Sequence, residues 1–402
     1  MARKVVVLDL HTFYDNRINK HIALVGQRYD VLRINVNLFH GRRVERTQGY
    51  KACIVDFTPT RGQYLNGLLF TLGTLIGTVP RRLHRRLREG FLQEGDEVLI
   101  HVHDPYLLSL AVRLSGRLPG SKVVYDRHDH FETWKNWLGV SVPGLFERLY
   151  GRRVEELIIA NPGTEGLPKA LSGKRVTQVP NYPLSKYFDW EAVERKAAAL
   201  GQESVIELAY FGALSLGFDR DIDLMLRLMA ALMREDPRIT CTVAGRIFER
   251  GVVGRLEEMK AEFGDRFRYL GELQYQEVIA RSKEAHLGFF LMNPERPTWS
   301  PRRPYSANKI YEYLQTGTVP VVRAVIEEPK GVRDCSLFFD ERSTFDEMLG
   351  SLRALCADRE RLRRMVLQCF ETGLKYSWEE VSPRYLECYD RVFGGVGAQG
   401  ER

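Results

Sequence analysis

The stretch from Tyr305 to Val322 reads Y-S-A-N-K-I-Y-E-Y-L-Q-T-G-T-V-P-V-V and joins a helix to a buried strand. Ser306 is typical of an N-cap, and the run from Ile310 to Leu314 favours helix. Gly317 ends that helix before the extended run from Val319 to Val322. A helix followed at once by a buried strand is the repeating unit of α/β proteins.

The start of this helix predicts an anion site. Its first-turn N–H groups and the positive end of its dipole favour a phosphate, and Lys309 adds a cation there. Glu312 lies less than one turn further on and faces roughly the same way, so its carboxylate is placed to accept hydrogen bonds from sugar hydroxyls. An ordinary amphipathic helix with a capping serine and solvated Lys and Glu fits the same residues.

Apolar strand-like runs alternate with helical stretches along the whole chain, which is typical of parallel sheets covered by helices. The first half predicts five strands: Val5 to Leu8, Val31 to Val36, Val98 to Val102, Lys122 to Tyr125 and Leu157 to Ala160. The second half predicts six: Ile206 to Phe211, Ile239 to Ala244, Phe267 to Leu270, Leu287 to Leu291, Val319 to Val322 and Ser336 to Phe339.

The segment Val179-Pro180-Asn181-Tyr182-Pro183 separates the two series and is followed by a predicted helix from Asp189 to Leu200. We therefore place a domain boundary there. Doubly wound domains bind ligands at the carboxyl ends of their strands, so two such domains are expected to face each other across a cleft.

Composition is that of a globular protein with two or three domains. The chain has 402 residues, 44% hydrophobic and 28% charged, which excludes disordered and fibrous classes. Its six cysteines are scattered without a C-x-x-C pair, so we expect neither a zinc site nor disulfides, and the reducing cytoplasm is the expected compartment.

Segments along nearly the whole chain resemble those of GT-B glycosyltransferases, particularly the family 4-like group (glycosyl transferases group 1). The stretch from Asn308 to Val322 is similar to the donor-binding signature N-K-x-x-E-Y-x-x-x-G-x-P-V-V of that group. Other similar segments are Asp15-Asn16-Arg17-Ile18 with Tyr29-Asp30-Val31, His101-Val102-His103-Asp104-Pro105, Val124-Tyr125-Asp126-Arg127-His128-Asp129, Tyr210-Phe211-Gly212-Ala213-Leu214, Tyr269-Leu270-Gly271-Glu272-Leu273 and Tyr376-Ser377-Trp378-Glu379 through Tyr389.

The resemblance implies an α/β GT-B fold: two Rossmann-like doubly wound domains facing across a cleft, with a C-terminal helix crossing back to the first domain. The expected parts are an acceptor-side domain over residues 1–183, a donor-binding domain over 184–375 and the returning helix within 376–402.

The resemblance also implies a donor site in the second domain. Glu312 would bind the ribose hydroxyls, while Lys309 and the helix amides hold the diphosphate. Many retaining members carry a further glutamate eight positions before Glu312; Pro304 stands there, so that sugar contact is not carried over. The full donor-binding prediction comprises Gly212, Arg220, Arg246, Leu273, Ser306, Asn308, Lys309 and Glu312.

Two of these assignments also follow from the residues themselves. Gly212 directly after a strand permits close approach of a phosphate to the backbone, although a simple tight turn also uses a glycine. Arg220 and Arg246 follow strands of the same domain and are placed to pair with a diphosphate, as are Arg302 and Arg303 ahead of the helix. Solvated loop charges are the alternative for all four arginines.

The candidate catalytic residues are His128 and Asp129, which follow a buried strand and combine imidazole with carboxylate. By resemblance to retaining members, His128 contacts the donor sugar and supports the departing phosphate. By resemblance to inverting members, Asp129 is the general base. The alternative is a structural loop in which Asp126 caps a helix and His130 is exposed. Arg17, His103 and Asp104 are expected on the acceptor side, and Asp104-Pro105 is also a helix-start signal.

The formal net charge is +7, which favours an acidic partner. Basic residues are dense from Arg81 to Arg88, after the nearly uncharged run from Tyr64 to Pro80. That run is too short and too rich in Gly and Thr for a transmembrane helix. We expect a core or interfacial helix followed by a basic one, and the pair suits anionic lipid. A solvated basic face is the alternative, and nucleic-acid binding is disfavoured because no aromatic residues interleave.

The sequence thus predicts a metal-independent glycosyltransferase, hexosyltransferase-like, that moves a sugar from a nucleotide diphosphate-sugar to a hydroxyl acceptor in glycan, polysaccharide or glycolipid assembly. Retention is favoured over inversion, and no cofactor is expected. The expected partners are the donor, a glycan or lipid-linked acceptor and an anionic membrane surface, with the protein cytoplasmic and peripheral on the inner face of the membrane. The alternatives are a sugar-nucleotide 2-epimerase of the same fold and a non-catalytic binder of anionic lipid or nucleic acid.

Overall fold

The computed structural model describes residues 2–11, 15–39, 51–129, 131, 140–161, 166–201, 204–217, 219–295, 308–323 and 331–394. Internal contacts divide the chain into two compact units. The first unit is Met1–Pro180 with Val381–Arg402, and the second unit is Asn181–Glu380. The sequence places these two boundaries after residues 183 and 375.

The first unit is built on a parallel sheet whose described strands have the order β3-β2-β1-β4-β5-β6-β7. Val5 of β1 pairs with Val31 on one side and Leu99 on the other. The strands are β1 (Arg3–Asp9), β2 (Asp30–Asn37), β3 (Lys51–Asp56), β4 (Glu97–Val102), β5 (Lys122–Arg127), β6 (Glu156–Ile159) and β7 (Arg175–Gln178).

The second unit has a parallel sheet with the described order β10-β9-β8-β11-β12-β13. Its inner strands β8 and β11 are wholly buried and, apart from Glu207 of β8, apolar, as is typical of parallel sheets covered on both faces. The strands are β8 (Ile206–Phe211), β9 (Ile239–Ala244), β10 (Phe267–Tyr269), β11 (Leu287–Leu291), β12 (Val319–Arg323) and β13 (Leu337–Phe339).

Helices connect the strands in both units. In the first unit they are α1 (Asn16–Val25), α2 (Gln63–Leu75), α3 (Thr78–Gly90), α4 (Leu108–Ser115) and α5 (Val142–Tyr150). In the second unit they are α6 (Trp190–Ala198), α7 (Ile222–Glu235), α8 (Arg250–Phe263), α9 (Tyr275–Glu284), α10 (Asn308–Gln315), α11 (Phe345–Ala357) and α12 (Arg359–Gly373). The chain continues through α13 (Trp378–Val381) and α14 (Pro383–Gly394), and α14 packs in the first unit.

All eleven predicted strands are confirmed in place, and β3 and β7 were missed. Both lie at edges of the first sheet and contain half-buried or exposed residues, so neither shows the continuous apolar run of a buried strand. None of the helices in the described ranges is long and apolar enough to cross a membrane.

Strand order fixes where ligands are expected to bind. In the first sheet the chain moves outward from β1 through β2 and β3, then returns to add β4 beside β1. In the second sheet β8 and β11 are neighbours for the same reason. Binding sites of doubly wound sheets form at the carboxyl ends of strands at these switch points. Gly212 after β8 and the pair His103–Asp104 after β4 occupy such positions.

Candidate functional site

In the second unit, three loops that each contain a glycine meet at the carboxyl ends of β8, β9 and β10. The amide of Gly212 donates to the carbonyl of Ala244 over 2.8 Å, and the amide of Gly245 donates to the carbonyl of Gly271 over 2.7 Å. Gly245 has φ of 146°, and a Cβ atom there would lie 1.7 Å from the Gly212 carbonyl oxygen. Only glycine allows these two backbone segments to approach so closely.

Helix α10 places Lys309 against Gly212. A Cβ atom on Gly212 would lie 2.5 Å from Cε and 2.6 Å from Nζ of Lys309. Burial lowers the pKa of the Lys309 ammonium, the nearby charge of Arg220 lowers it further, and the carboxylate of Glu312 raises it. Three predicted donor residues, Gly212, Lys309 and Arg220, are therefore close together, with Glu312 acting on the same amine.

The two predicted arginines differ in their surroundings. The guanidinium of Arg220 lies 4.3 Å from the ring centroid of Phe290 and 2.6 Å from a carboxylate oxygen of Asp219. Arg246 is exposed in the loop after β9, where its guanidinium lies 5.3 Å from the ring centroid of Phe248. Arg220 is thus paired with Asp219 and close enough to Lys309 to lower the pKa of its amine, whereas Arg246 is exposed.

The remaining donor predictions fall in three places. Asn308 is the exposed first residue of α10, and Leu273 is half-buried against a small apolar cluster that includes Phe211 and Tyr313. Ser306 lies outside the described residues, as do Arg302, Arg303 and Pro304.

At the carboxyl ends of β1 and β4 in the first unit, His11 lies between two carboxylates. Its Nε2 is 3.3 Å from Asp104 and its Nδ1 is 3.4 Å from Asp15. Burial alone would lower the pKa of His11. The charge of Asp104, a hydrogen bond between Asp104 and the His11 ring, and the charge of Asp15 together raise that pKa to about 10. His11 is therefore expected to be protonated at neutral pH and to place a positive charge at this edge of the sheet. Sequence reasoning missed it, although its place two residues after β1 was a usable signal.

The predicted catalytic residues His128 and Asp129 follow β5 directly, and both are half-buried. The ring of His128 lies 5.3 Å from that of His11 in a T-shaped contact. Its Nδ1 atom is buried, and within the described ranges no protein group hydrogen-bonds to it. His128 thus keeps one nitrogen for a ligand beside the cationic His11.

Asp126, in the interior of β5, is the counterion of Arg17. The guanidinium donates two hydrogen bonds to the carboxylate, of 2.8 and 3.1 Å, and a third of 2.9 Å to the carbonyl of Val179. Tyr385 of α14 donates to the same carboxylate over 2.5 Å. Burial alone would raise the pKa of Asp126, but the charge of Arg17 holds it well below its usual range. The alternative in which Asp126 caps a helix is wrong, because the strand continues through Arg127.

Predicted acceptor-side residues occupy this interior rather than the surface. The ring of His103 is fully buried, with Nδ1 3.3 Å from Asp126 and Nε2 3.1 Å from Nδ1 of His21. Arg17 is equally enclosed by its bonds to Asp126. Asp104 is nearly buried and accepts a hydrogen bond of 2.7 Å from the amide of Leu10, so it closes the turn after β1. The sequence predicts all three as acceptor-side residues, but Arg17 in the first turn of α1 and His103 directly after β4 are buried in the first unit.

Three buried histidines and a tyrosine complete this network. Nε2 of His21 lies 2.7 Å from the Tyr389 hydroxyl, which lies 2.8 Å from Nδ1 of His101. Burial lowers the pKa of His101. For His21 and His103, burial and the nearby charge of His101 act in the same direction and lower the pKa well below its usual range. Helix α14 supplies both tyrosines, which explains why the C-terminal segment belongs to the first unit.

The geometry also offers metal ligands. Within the part of the chain that is described, nitrogens of His21, His101 and His103 lie within 4.8 Å of one another, as do ligand atoms of His103, Asp126 and His128. The ring of His21 is already hydrogen-bonded on both sides, and a dication there would stand next to the guanidinium of Arg17. The residues therefore fit a neutral hydrogen-bonded network better than a metal site.

Solved structures of known enzymes share this architecture along the whole chain. Sucrose-phosphate synthase from Thermosynechococcus elongatus aligns with a TM-score of 0.68 at 12% identity, covering 98% of this chain and 100% of that one. The UDP-forming α,α-trehalose-phosphate synthase from Burkholderia vietnamiensis gives 0.65 at 12% identity, covering 98% and 100%. Anabaena HepE in complex with UDP and glucose gives 0.64 at 13% identity, covering 96% and 99%.

No protein-family model matches the sequence, and no curated protein matches it. The likeness to the three solved structures extends over both units and both sheets, at identities that establish architecture alone. This protein accordingly has the α/β GT-B fold, with two Rossmann-like units and a C-terminal helix that packs on the first.

Proposed function

We propose that this protein is a glycosyltransferase that moves a sugar from a nucleotide diphosphate-sugar to a hydroxyl acceptor. The observation that carries the proposal is the packing of the Lys309 amine against Gly212 at the carboxyl end of β8, with Arg220 beside it. Two neighbouring cations beside a glycine at the end of a strand suit a diphosphate. Solved structures of the same fold include HepE with UDP and glucose.

The same groups account for the chemistry that sugar transfer needs. When the bond from the sugar to the diphosphate breaks, negative charge grows on the departing phosphate oxygen. Lys309 and Arg220 are fixed in advance near Gly212, so they stabilise that charge without reorganising. In this proposal the protein cations neutralise the departing phosphate, and the reaction needs no metal ion. Glu312, on the same helix as Lys309, is the proposed partner of the ribose hydroxyls.

On the acceptor side we assign His128 to the donor sugar and favour retention of configuration. The buried, unshared Nδ1 atom of His128 supports this assignment. Asp129 is the competing candidate, as the general base of an inverting reaction. The acceptor is proposed to be a glycan or a lipid-linked glycan, with the protein cytoplasmic and peripheral on the inner face of the membrane.

A panel of donors tests the proposed activity. The protein is incubated with UDP-, GDP- and dTDP-sugars, with and without glycan or lipid-linked acceptors, and release of the nucleotide is followed by chromatography. We expect one nucleotide class to be released faster when an acceptor is present. Conversion of the sugar nucleotide to an epimer without any acceptor would instead identify an epimerase, and inertness toward every donor would contradict both.

Replacing Glu312 with alanine is expected to weaken nucleoside diphosphate binding roughly ten- to a hundredfold, because a charge-assisted hydrogen bond contributes about 1.5 to 3 kcal/mol. Calorimetric titration measures the change. Glu257→Ala, which removes an exposed glutamate from α8, is the matched control and should bind like the wild type. Wild-type affinity in Glu312→Ala would remove this residue from the site.

Replacing Lys309 with alanine is expected to discriminate between ligands. The amine faces the backbone of Gly212, so its loss should weaken binding of a nucleoside diphosphate far more than binding of the bare nucleoside. Titrations with both ligands measure the difference, with the exposed Lys375→Ala as control. Equal losses for the two ligands would show that Lys309 has a structural role only.

A further inference from the structure

Helix α2 has its polar and apolar faces inverted relative to an ordinary surface helix. Its buried side places the polar Asn66 and Thr74 on either side of Phe70, while its exposed side is apolar. We call the exposed residues the α2 apolar stripe: Tyr64, Leu65, Leu68, Leu72 and Leu75 in the helix and Ile76 at its C-cap.

The stripe is a continuous surface on one side of the helix. At 100° per residue its members fall within about a third of a turn. Tyr64 is 86% exposed, Leu68 56% and Ile76 66%. The buried side is fixed in this orientation by Asn66, whose amide donates to the carbonyls of Leu38 and Thr60 over 3.0 Å each. The apolar side therefore faces outward as a consequence of specific bonds within the first unit.

Cations surround the end of this stripe. Helix α3 begins after Gly77 and buries Pro80, Leu83 and Leu87, while its arginines are exposed: Arg81, Arg82, Arg85, Arg86 and Arg88. The guanidinium of Arg81 donates to the carbonyl of Ile76 over 3.3 Å, which brings a positive charge to the stripe itself. Between Phe57 and Arg88 the sequence has six arginines and no Asp or Glu.

We propose that the face formed by α2 and α3 binds an anionic lipid bilayer, with the α2 apolar stripe inserted among the lipids and the arginines of α3 on the headgroups. An exposed apolar helix side next to concentrated cations is the pattern of an interfacial membrane helix. A symmetric contact between two copies would place like-charged arginines against each other, which disfavours a dimer through this face. The membrane proposal does not depend on the transferase proposal.

Sedimentation of the full-length protein with vesicles tests the proposal. Vesicles of phosphatidylcholine alone are compared with vesicles that also contain phosphatidylglycerol, at low and high salt. We expect binding to the anionic vesicles only, weakened by salt but retained in part, because insertion of apolar side chains is not screened. Binding that salt abolishes completely would leave α3 as a merely electrostatic surface and overturn the insertion.

Two sets of substitutions separate the contributions. Leu65, Leu68 and Leu72 changed together to serine should lower binding at least tenfold, whereas the exposed Val205, Val253 and Leu374 of the second unit changed to serine should not. Arg82, Arg85 and Arg86 changed to glutamate should abolish binding, whereas the same change at the exposed Arg361, Arg363 and Arg364 of α12 should not.

An environment-sensitive fluorophore reports insertion directly. Attached at Leu68→Cys, it should shift to the blue with anionic vesicles, and at Leu374→Cys it should not. Gel filtration without vesicles tests whether the face instead binds a second copy of the protein. A dimer that the three serine substitutions convert to a monomer would show such self-association and contradict the proposal. Unchanged vesicle binding of the serine variant would contradict it equally.

Discussion

Replacing His128 with alanine is expected to lower turnover roughly one hundred- to one thousandfold, the effect of removing one hydrogen-bond donor that stabilises developing charge. The physical reason is that His128 lies directly after β5, with its Nδ1 buried and unshared among the described residues. The same variant should bind the intact sugar nucleotide more weakly while its affinity for the free diphosphate changes little. Steady-state kinetics and calorimetry measure the two effects.

Asp129→Asn is the matched comparison, since it alters the neighbouring residue without changing its size. We expect it to have little effect. If Asp129 were the general base, this variant would bind donor normally and lose roughly a hundred- to ten-thousandfold in turnover. NMR of the anomeric proton of the product completes the test: retained configuration is expected, and an inverted product together with an inert Asp129→Asn enzyme would overturn the assignment of His128.

Lowering the pH from 7 to 5 is expected to destabilise the first unit, because its buried histidines resist protonation in the folded state. Burial keeps His21, His101 and His103 neutral in the folded state, because it lowers their pKa values. In the unfolded chain the same rings take up protons near pH 6.5. Each therefore leaves the folded state stable above that pH and destabilises it progressively as the pH falls below it.

Two other groups modify this expectation without reversing it. His11 has a pKa raised to about 10, so it is already protonated in the folded state and offsets about 1 kcal/mol of the loss. The pKa of Asp126 is held well below its usual range, so its contribution is lost only at pH values below about 4. The net change between pH 7 and 5 remains unfavourable to the first unit.

The buried thiols of Cys388 in the first unit and Cys241 in the second serve as reporters. Thiol labelling in graded urea, read by mass spectrometry, measures the stability of each unit at the two pH values. We expect Cys388 to react at much lower urea at pH 5, while Cys241 shifts less, because the second unit has one clearly perturbed histidine among its described residues, His286. Equal shifts in both units, or greater protection of Cys388 at pH 5, would contradict the account of the buried network.

The sequence predicted secondary structure best where a single physical requirement, such as burial of a strand, determines which residues are present. Buried strands such as β11 are continuous apolar runs, and Gly317, with φ of 61°, marks the end of α10. The edge strands β3 and β7 gave no such signal, because their side chains are only partly buried and polar residues are tolerated there. The proximity of Gly212 to Lys309 was anticipated only through a family resemblance, since strand–helix packing is not visible in either segment alone.

The interior of the first unit was the least predictable part. His103 and Arg17 look like ligands in the sequence, because a charged or ionisable side chain is ordinarily exposed. Their burial depends on Tyr385 and Tyr389, which come from the far end of the chain and complete the hydrogen bonds. Helix α2 was equally ambiguous, because the side that is buried carries the polar Asn66 and Thr74 and the side that is exposed is apolar.

Amide hydrogen exchange of the full-length protein, with and without saturating UDP, GDP or dTDP, tests the central claim most directly. We expect one of these diphosphates to slow exchange in the loop after β8, around residues 211–217, and along α10, at residues 308–315, where Gly212 and Lys309 meet. Unchanged exchange in both segments with all three diphosphates, or protection confined to the first unit, would contradict it.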